Sequence, residues 1–358
     1  MGIVTNFGSI ELIQSGTSTL LAILIHGFYH ILWYIKYMKI IVAGGAGFLG
    51  SYLCEKLLGE NHEVICVDNL LTGYEENIAH LKDNPGFKFI NADVSKPLDG
   101  ILDHQPKADR PLDEIYHLAS PASPNEKNPK GYHVLGFETM LVNSTGTWNL
   151  CELAKKSGAK FLFASTSEVY GDPEEHPQKE TYRGNVSTIG PRSVYDESKR
   201  FGETIVSEFV RKKKLNATTV RIFNTYGPGM ADDGRVVTTF IKKALKNEPL
   251  PVFGEGNQTR SFCFISDMVD GIISAMEKGS SGEVYNLGNP DEYSVLELAG
   301  KIKALTGSSS EIEYHALPED DPLQRCPNIT KARSELSWEP KISLEEGLKK
   351  YIEYLKNT

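Results

Sequence analysis

The chain has 358 residues, 40% hydrophobic and 24% charged, with 38 Lys and Arg against 47 Asp and Glu and a formal net charge of −9. That balance excludes a disordered or collagen-like chain and argues against nucleic acid as a partner, so an anionic ligand needs a local cationic site. Cys54, Cys66, Cys151, Cys263 and Cys326 form no C-x-x-C pair, which excludes a disulfide scaffold and reads as a reducing, cytoplasmic setting.

In chain order, Ser18 to Ile35 contains no Asp, Glu, Lys or Arg and just reaches the length of a membrane span. His26, Gly27 and His30 weaken that reading, and only residues 36–38 separate the run from the first strand of a compact domain. Residues 1–38 are therefore expected to be a non-essential extension. A membrane anchor at 18–35 and an extra packed helix are the alternatives, and no small-residue cleavage site follows. Buried strands are expected at Lys39–Ala43, Glu63–Asp68, Phe87–Asn91, Glu114–Leu118, Lys160–Ala164 and Thr218–Ile222. Helical patterns follow the first of these through Leu58 and cover Phe137–Lys156 and Ser193–Lys213. This alternation predicts an α/β fold, with a doubly wound parallel Rossmann sheet over 39–222. After Phe223 the rhythm breaks into Gly- and Pro-rich loops, with short helices at Ser294–Leu305 and Leu344–Leu355. Residues 223–358 are expected to form mainly a smaller C-terminal substrate-binding lobe, with an approximate and discontinuous boundary.

Two motifs carry chemistry. Gly44, Gly47 and Gly50 lie between a strand and a helix, where a tight turn, close backbone approach and a helix N-terminus suit a pyrophosphate. Asp68 ends the next strand, where a carboxylate binds both ribose hydroxyls and repels a 2′-phosphate, so NAD is favoured over NADP. Asp93-Val94 after the third strand could meet the adenine, although an ordinary strand-end Asp explains it nearly as well. The second motif is Tyr195-Asp-Glu-Ser-Lys199, whose ends share one helix face. A nearby ammonium is expected to lower the tyrosine pKa toward neutrality, making it a base for a sugar hydroxyl. Thr166 and Glu168, just past the fifth strand, lie where such sheets bind ligands; Thr166 can hydrogen-bond the reacting hydroxyl and Glu168 can give or take a proton.

Gly44–Gly50 with Tyr195 and Lys199 resembles the extended short-chain dehydrogenase/reductase family of nucleotide-sugar enzymes. The stretches YHLASPASP (116–124), ASTSEVYGDPEEHPQ (164–178), RIFNTYGP (221–228), DGRVV (233–237) and NQTRSF (257–262) are similar to its UDP-glucuronate decarboxylase branch. The resemblance implies bound NAD, a UDP-sugar substrate, a homodimer, and Phe48, Leu49, Asn69, Thr72, Gly73, Leu118, Ala119 and Ser120 as further cofactor contacts. It implies Tyr195 as the base for C4 oxidation, Lys199 as its electrostatic partner and ribose ligand, Thr166 orienting the C4 oxygen and Glu168 handling protons. It also implies Arg260 near the carboxylate and diphosphate, and Asn224, Thr225 and Arg235 as UDP contacts. The implied reaction makes UDP-xylose: a 4-ketone lies β to the C6 carboxylate, and a β-keto acid loses carbon dioxide readily. Ser167-Glu168 stands where 4,6-dehydratases carry an Asp-Glu pair. A nucleotide-sugar 4-epimerase is the alternative, and a non-catalytic nucleotide-sugar sensor a more distant one. The chain departs from the family at Gly229 (commonly Arg), Leu141 (Lys) and Arg183 (often Trp), and 96–111 has no clear counterpart.

Overall fold

The structure, a computed structural model, describes residues 10–15, 18–25, 28–35, 37–98, 111–316 and 324–358. The chain divides into two units, Met1–Met38 and Lys39–Thr358. In the first, Ile10–Ser15, Ser18–Ile25 and Phe28–Ile35 form an antiparallel three-stranded sheet in chain order. The extra helix weighed for 18–35 is thus corrected to strands: the run is rich in Ile, Phe, Tyr and Trp, which suit a pleated surface. His26 and Gly27 lie outside the described residues. Among the described residues no helix is long and apolar enough to cross a membrane.

The second unit is built on seven strands: β1 (Lys39–Ala43), β2 (Glu63–Asp68), β3 (Phe87–Asn91), β4 (Glu114–His117), β5 (Lys160–Thr166), β6 (Ala217–Ile222) and β7 (Val284–Leu287). They form one sheet in the order β7-β6-β5-β4-β1-β2-β3, and every pairing is parallel. Parallel strands covered on both faces read as unbroken apolar runs, as VICV in β2 and FLFA in β5 do. The order reverses between β1 and β4, and ligands of such sheets bind beyond the strand C-termini at that point. The side chains of Ile41, Ile65, Ile115, Phe161 and Phe163 form the core of one face with Leu150 of helix α2 (Thr147–Ser157) and Phe209 of helix α3 (Ser193–Lys213).

Two details differ from the expected elements. The helix expected over Phe137–Lys156 is interrupted by a π-helical turn at Val142–Gly146, between Gly136–Leu141 and α2. There the Asn143 Nδ2 donates to Ser198 Oγ of α3 at 3.0 Å, tying the two helices beneath the site. The sheet also crosses the boundary expected at 222: β7 pairs with β6, and helix α4 (Ile265–Lys278) follows a segment beyond that boundary. The remaining C-terminal strands are short. Thr259–Ser261 sits between Glu292–Ser294, antiparallel, and Gln324–Arg325, parallel, which sets Arg260 opposite Arg325.

Candidate active site

At the nucleotide end, the glycine turn is fixed by close packing. Gly44 has φ +84°, and a Cβ on it would lie 2.5 Å from the Ala119 nitrogen; one on Gly50 would lie 2.1 Å from the Gly44 carbonyl. Helix α1 (Phe48–Gly59) starts at Gly47 with no side-chain cap and no acidic residue in its first turn. Its first N–H groups and dipole are therefore left for an anion. Asp68 closes this end: its two carboxylate oxygens accept from the Ala46 and Leu70 N–H groups at 3.0 and 2.8 Å. Burial pushes the Asp68 pKa up, while those two N–H groups oppose the shift. A Cβ on Gly73 would sit 3.0 Å from both oxygens, so the chain must be bare there. An uncapped helix start beside a carboxylate at the strand end fits the pyrophosphate and ribose of NAD.

The other cofactor candidates divide. Leu118-Ala119-Ser120 follows β4 against the turn, with the Leu118 N–H on the Ala43 carbonyl at 2.8 Å. Phe48 and Leu49 open α1, and Leu71 N–H bonds the Asn69 side chain at 3.0 Å in the loop that carries Thr72. Asp93, after β3, accepts the Ser95 N–H and hydroxyl on Oδ1 at 2.8 and 2.7 Å, and the Val94 side chain is packed in the core.

At the chemical end, Tyr195 and Lys199 share the buried face of α3. The Lys199 ammonium donates to the Ala164 carbonyl at 2.8 Å and lies 5.0 Å from the Phe163 ring centre and 5.9 Å from that of Tyr195. Burial lowers its pKa to about 7, against the pull of Glu203. The Tyr195 phenol is pushed up, first by burial and then by the charge of Glu168, with a hydrogen bond from Thr166 opposing. The expected lowering by Lys199 is therefore corrected: spacing on a helix face brings the two together, but desolvation outweighs an ammonium turned to a carbonyl.

Thr166 ends β5 and caps the next turn, its hydroxyl accepting from the Glu168 N–H at 3.2 Å. Glu168 lies between two arginines. Arg192 Nη2 reaches one oxygen at 2.6 Å, and Arg325 Nη1 bonds the other. Burial alone would raise its pKa, but the two guanidiniums lower it to about 2. As held here, Glu168 is a poor proton donor at neutral pH. Arg325 is 3% exposed, gives Nη2 to the Gly171 carbonyl at 3.2 Å, and has a buried Nε without a partner among the described residues. Sequence reading missed Arg325. It lies on Gln324–Arg325, far from Glu168 in the chain, and only strand pairing brings it in. Arg192 was within reach, one helical turn before Tyr195.

The substrate candidates are gathered less closely. Arg235 forks onto Asp233, with Nε to Oδ1 at 2.9 Å and Nη2 to Oδ2 at 2.6 Å. Arg260 Nη1 donates to the Thr259 carbonyl at 2.8 Å, while its strand neighbour Arg325 is the arginine on Glu168. Asn224 offers its carbonyl to the Cys263 N–H at 2.9 Å, and the Thr225 hydroxyl donates to Phe223 at 3.0 Å. Of the departures, Gly229 has φ +76° and Leu141 is 45% exposed.

Residues 40–288 match the NAD dependent epimerase/dehydratase family. The chain is 48% identical over 323 residues to UDP-glucuronic acid decarboxylase 1 of Arabidopsis thaliana, covering 90% of this chain and 71% of the relative. It is 46% identical to UDP-glucuronic acid decarboxylase 1 of Xenopus tropicalis, covering 89% and 72%. Among solved structures, UDP-glucose 4-epimerase of Thermotoga maritima with UDP-glucose superposes with a TM-score of 0.79 at 32% identity, covering 89% of this chain and 99% of that one. UDP-glucuronic acid 4-epimerase of Bacillus cereus, with UDP-glucuronic acid and NAD, gives 0.77 at 30% over the same shares.

Proposed function

The chain belongs to the NAD dependent epimerase/dehydratase family, and from that premise we propose that it decarboxylates UDP-glucuronate to UDP-xylose. The observation that carries this reading is 46–48% identity, over about nine-tenths of the chain, to proteins named as UDP-glucuronic acid decarboxylases. The epimerases of the same fold stand at 30–32%.

NAD, when bound at the glycine turn, supplies the hydride acceptor for C4 and returns the hydride after carbon dioxide has left. The protein's own groups do the rest. Tyr195 takes the proton of the C4 hydroxyl, and Thr166, which already bonds it, orients the C4 oxygen. Lys199, on α3 with its ammonium on the Ala164 carbonyl of β5, is proposed to stabilise the phenolate that this transfer requires and to bond the ribose. Once C4 is a ketone, the C5–C6 bond breaks and carbon dioxide leaves, while the bond's electron pair passes into a C4–C5 enolate that takes a proton at C5 from solvent water. The Glu168–Arg192–Arg325 cluster supplies charge beside that step: a sugar carboxylate competing for a guanidinium loosens the hold on Glu168 and makes its protonation easier. Arg235, with Asn224 and Thr225, is proposed to hold UDP, the Asp233 fork taking only its Nε and Nη2, and Arg260 is proposed to act near the carboxylate and diphosphate.

A homodimer is part of the proposal. Phe137, Met140, Leu141 and Trp148 on the Gly136–Ser157 helical segment and Phe201 on α3 are exposed large apolar side chains, the kind of surface a partner subunit covers. Sedimentation of the purified chain at dimer mass supports it; a monomer at micromolar concentration removes it. The five free cysteines, all buried, support a reducing, cytoplasmic setting.

The test is a product assay. Residues 38–358 are incubated with UDP-glucuronate without added NAD, and the sugar nucleotide is followed by NMR and mass spectrometry. Loss of one carbon dioxide with formation of UDP-xylose is the expected outcome. Unchanged mass with an inverted C4 replaces the reading with a 4-epimerase.

A further inference from the structure

One buried phenol in the site has no part in the steps above. Tyr132 is 1% exposed, and its ring stacks on that of Tyr195 with centres 4.9 Å apart and planes 8° from parallel. Its hydroxyl is buried without a hydrogen-bond partner among the described residues. The ionisable groups acting on it are Glu168, Arg192, Asp196 and Tyr195, so the hydroxyl lies in the field of the arginine–glutamate cluster. A buried hydroxyl without a partner is costly, and it persists where a ligand atom completes it.

The loop that carries Tyr132 is braced. The Tyr132 N–H donates to the Ser123 carbonyl at 3.1 Å, and Asn128 Nδ2 donates to the Ser123 hydroxyl at 3.1 Å. Asn125 Nδ2 donates to the Asp233 carbonyl at 3.0 Å, and a Cβ on Gly131 would sit 2.7 Å from the Asn125 carbonyl. The loop that carries the phenol is thus tied through Asn125 to Asp233, two residues before Arg235.

We propose that Tyr132 is a substrate-binding residue: its hydroxyl donates to the sugar carboxylate, and its ring covers one side of the C4–C5 edge against water. The proposal rests on the decarboxylase reading and deepens it. Burial holds the phenol un-ionised well above neutral pH, so it acts as a neutral donor. That suits a carboxylate that must leave as uncharged carbon dioxide: a neutral hydrogen bond orients it without adding to the positive charge of the guanidiniums beside it. The ring keeps the dielectric low while charge moves toward the C4 oxygen.

The experiment uses the full chain with Tyr132→Phe, which keeps the ring and removes only the hydroxyl, and Tyr132→Leu, which also removes the stack. Binding of UDP-glucuronate, UDP-glucose and UDP is measured by titration calorimetry, alongside steady-state turnover. In Tyr132→Phe, affinity and kcat/KM for UDP-glucuronate should fall about 5- to 100-fold. UDP-glucose and UDP should bind as they do to the unaltered chain, and retained NAD should be unchanged. Tyr132→Leu should lower kcat further. Equal affinity of Tyr132→Phe and the unaltered chain for UDP-glucuronate overturns the proposal, as does an equal loss for all three ligands. So does an unaltered chain that does not prefer the carboxylated sugar. If the unaltered chain prefers UDP-glucuronate but releases no carbon dioxide, the decarboxylase reading fails, while the binding comparison still decides the role of Tyr132.

Discussion

The two ends of the crevice satisfy their polar groups in opposite ways. At the nucleotide end, Asp68 is met by two backbone N–H groups and the glycines are pressed against backbone. At the sugar end, the Tyr132 hydroxyl, one oxygen of Asp196 and Nε of Arg325 are buried without partners among the described residues, around a glutamate gripped by two arginines. The first end is a preformed frame, with only the first N–H groups of α1 left for a ligand. The second is left open to a ligand, as expected where groups must exchange partners during a reaction.

The sharpest way to break this contrast is at the base. Tyr195→Phe should lower turnover about 10²- to 10⁴-fold while NAD stays bound, because the nucleotide frame does not depend on the phenol. Full activity in that variant would take the base role from Tyr195. Next is Arg325→Ala, which strips one partner from a buried carboxylate and should cost about 3–5 kcal/mol of stability, read as a fall in Tm. Arg325→Lys should not restore it, since one ammonium cannot serve both Glu168 and the Gly171 carbonyl in the same fork. A near-native melt for Arg325→Ala would show the cluster to be loosely held.

At the nucleotide end, Gly50→Ala should cost about 1–3 kcal/mol and lower retained NAD, given a Cβ 2.1 Å from the Gly44 carbonyl. A Cβ on Gly47 meets that carbonyl at 3.2 Å, so Gly47→Ala should keep its melt and lose mainly cofactor. Equal melts for the two would dissolve the distinction. The smallest effect is in acid. Glu168 has its pKa lowered to about 2, so the folded state holds fewer protons there than the unfolded chain. The stabilisation from its arginines is complete above the ordinary glutamate pKa and is lost as pH falls toward 2. Glu168→Gln should lack that component of the acid transition; an identical acid profile would remove it.

The same contrast explains what was legible in the sequence. The frame depends on local signals: apolar runs such as VICV, the spacing of Gly44, Gly47 and Gly50, and a carboxylate at the end of the next strand. The sugar end depends on register. Arg325 reaches Glu168 because Gln324–Arg325 pairs with Thr259–Arg260, which no local pattern announces. The i, i+4 spacing of Tyr195 and Lys199 placed both on one face but carried no information on their burial, which reverses the expected shift of the tyrosine. The apolar stretch at 18–35 had a span-like composition, but its β-forming residues settled into paired strands.

Strand β7 has a consequence for how the molecule is made. It takes the hydrogen bonds of β6 in parallel, with the Phe223 N–H closing the ladder on the Leu287 carbonyl at 2.9 Å. A ribosome that has released β6 but not β7 presents a nascent sheet with an open, apolar margin ready to pair with other chains. A fragment ending at residue 222, which leaves that margin unpaired, should aggregate more readily than the whole chain.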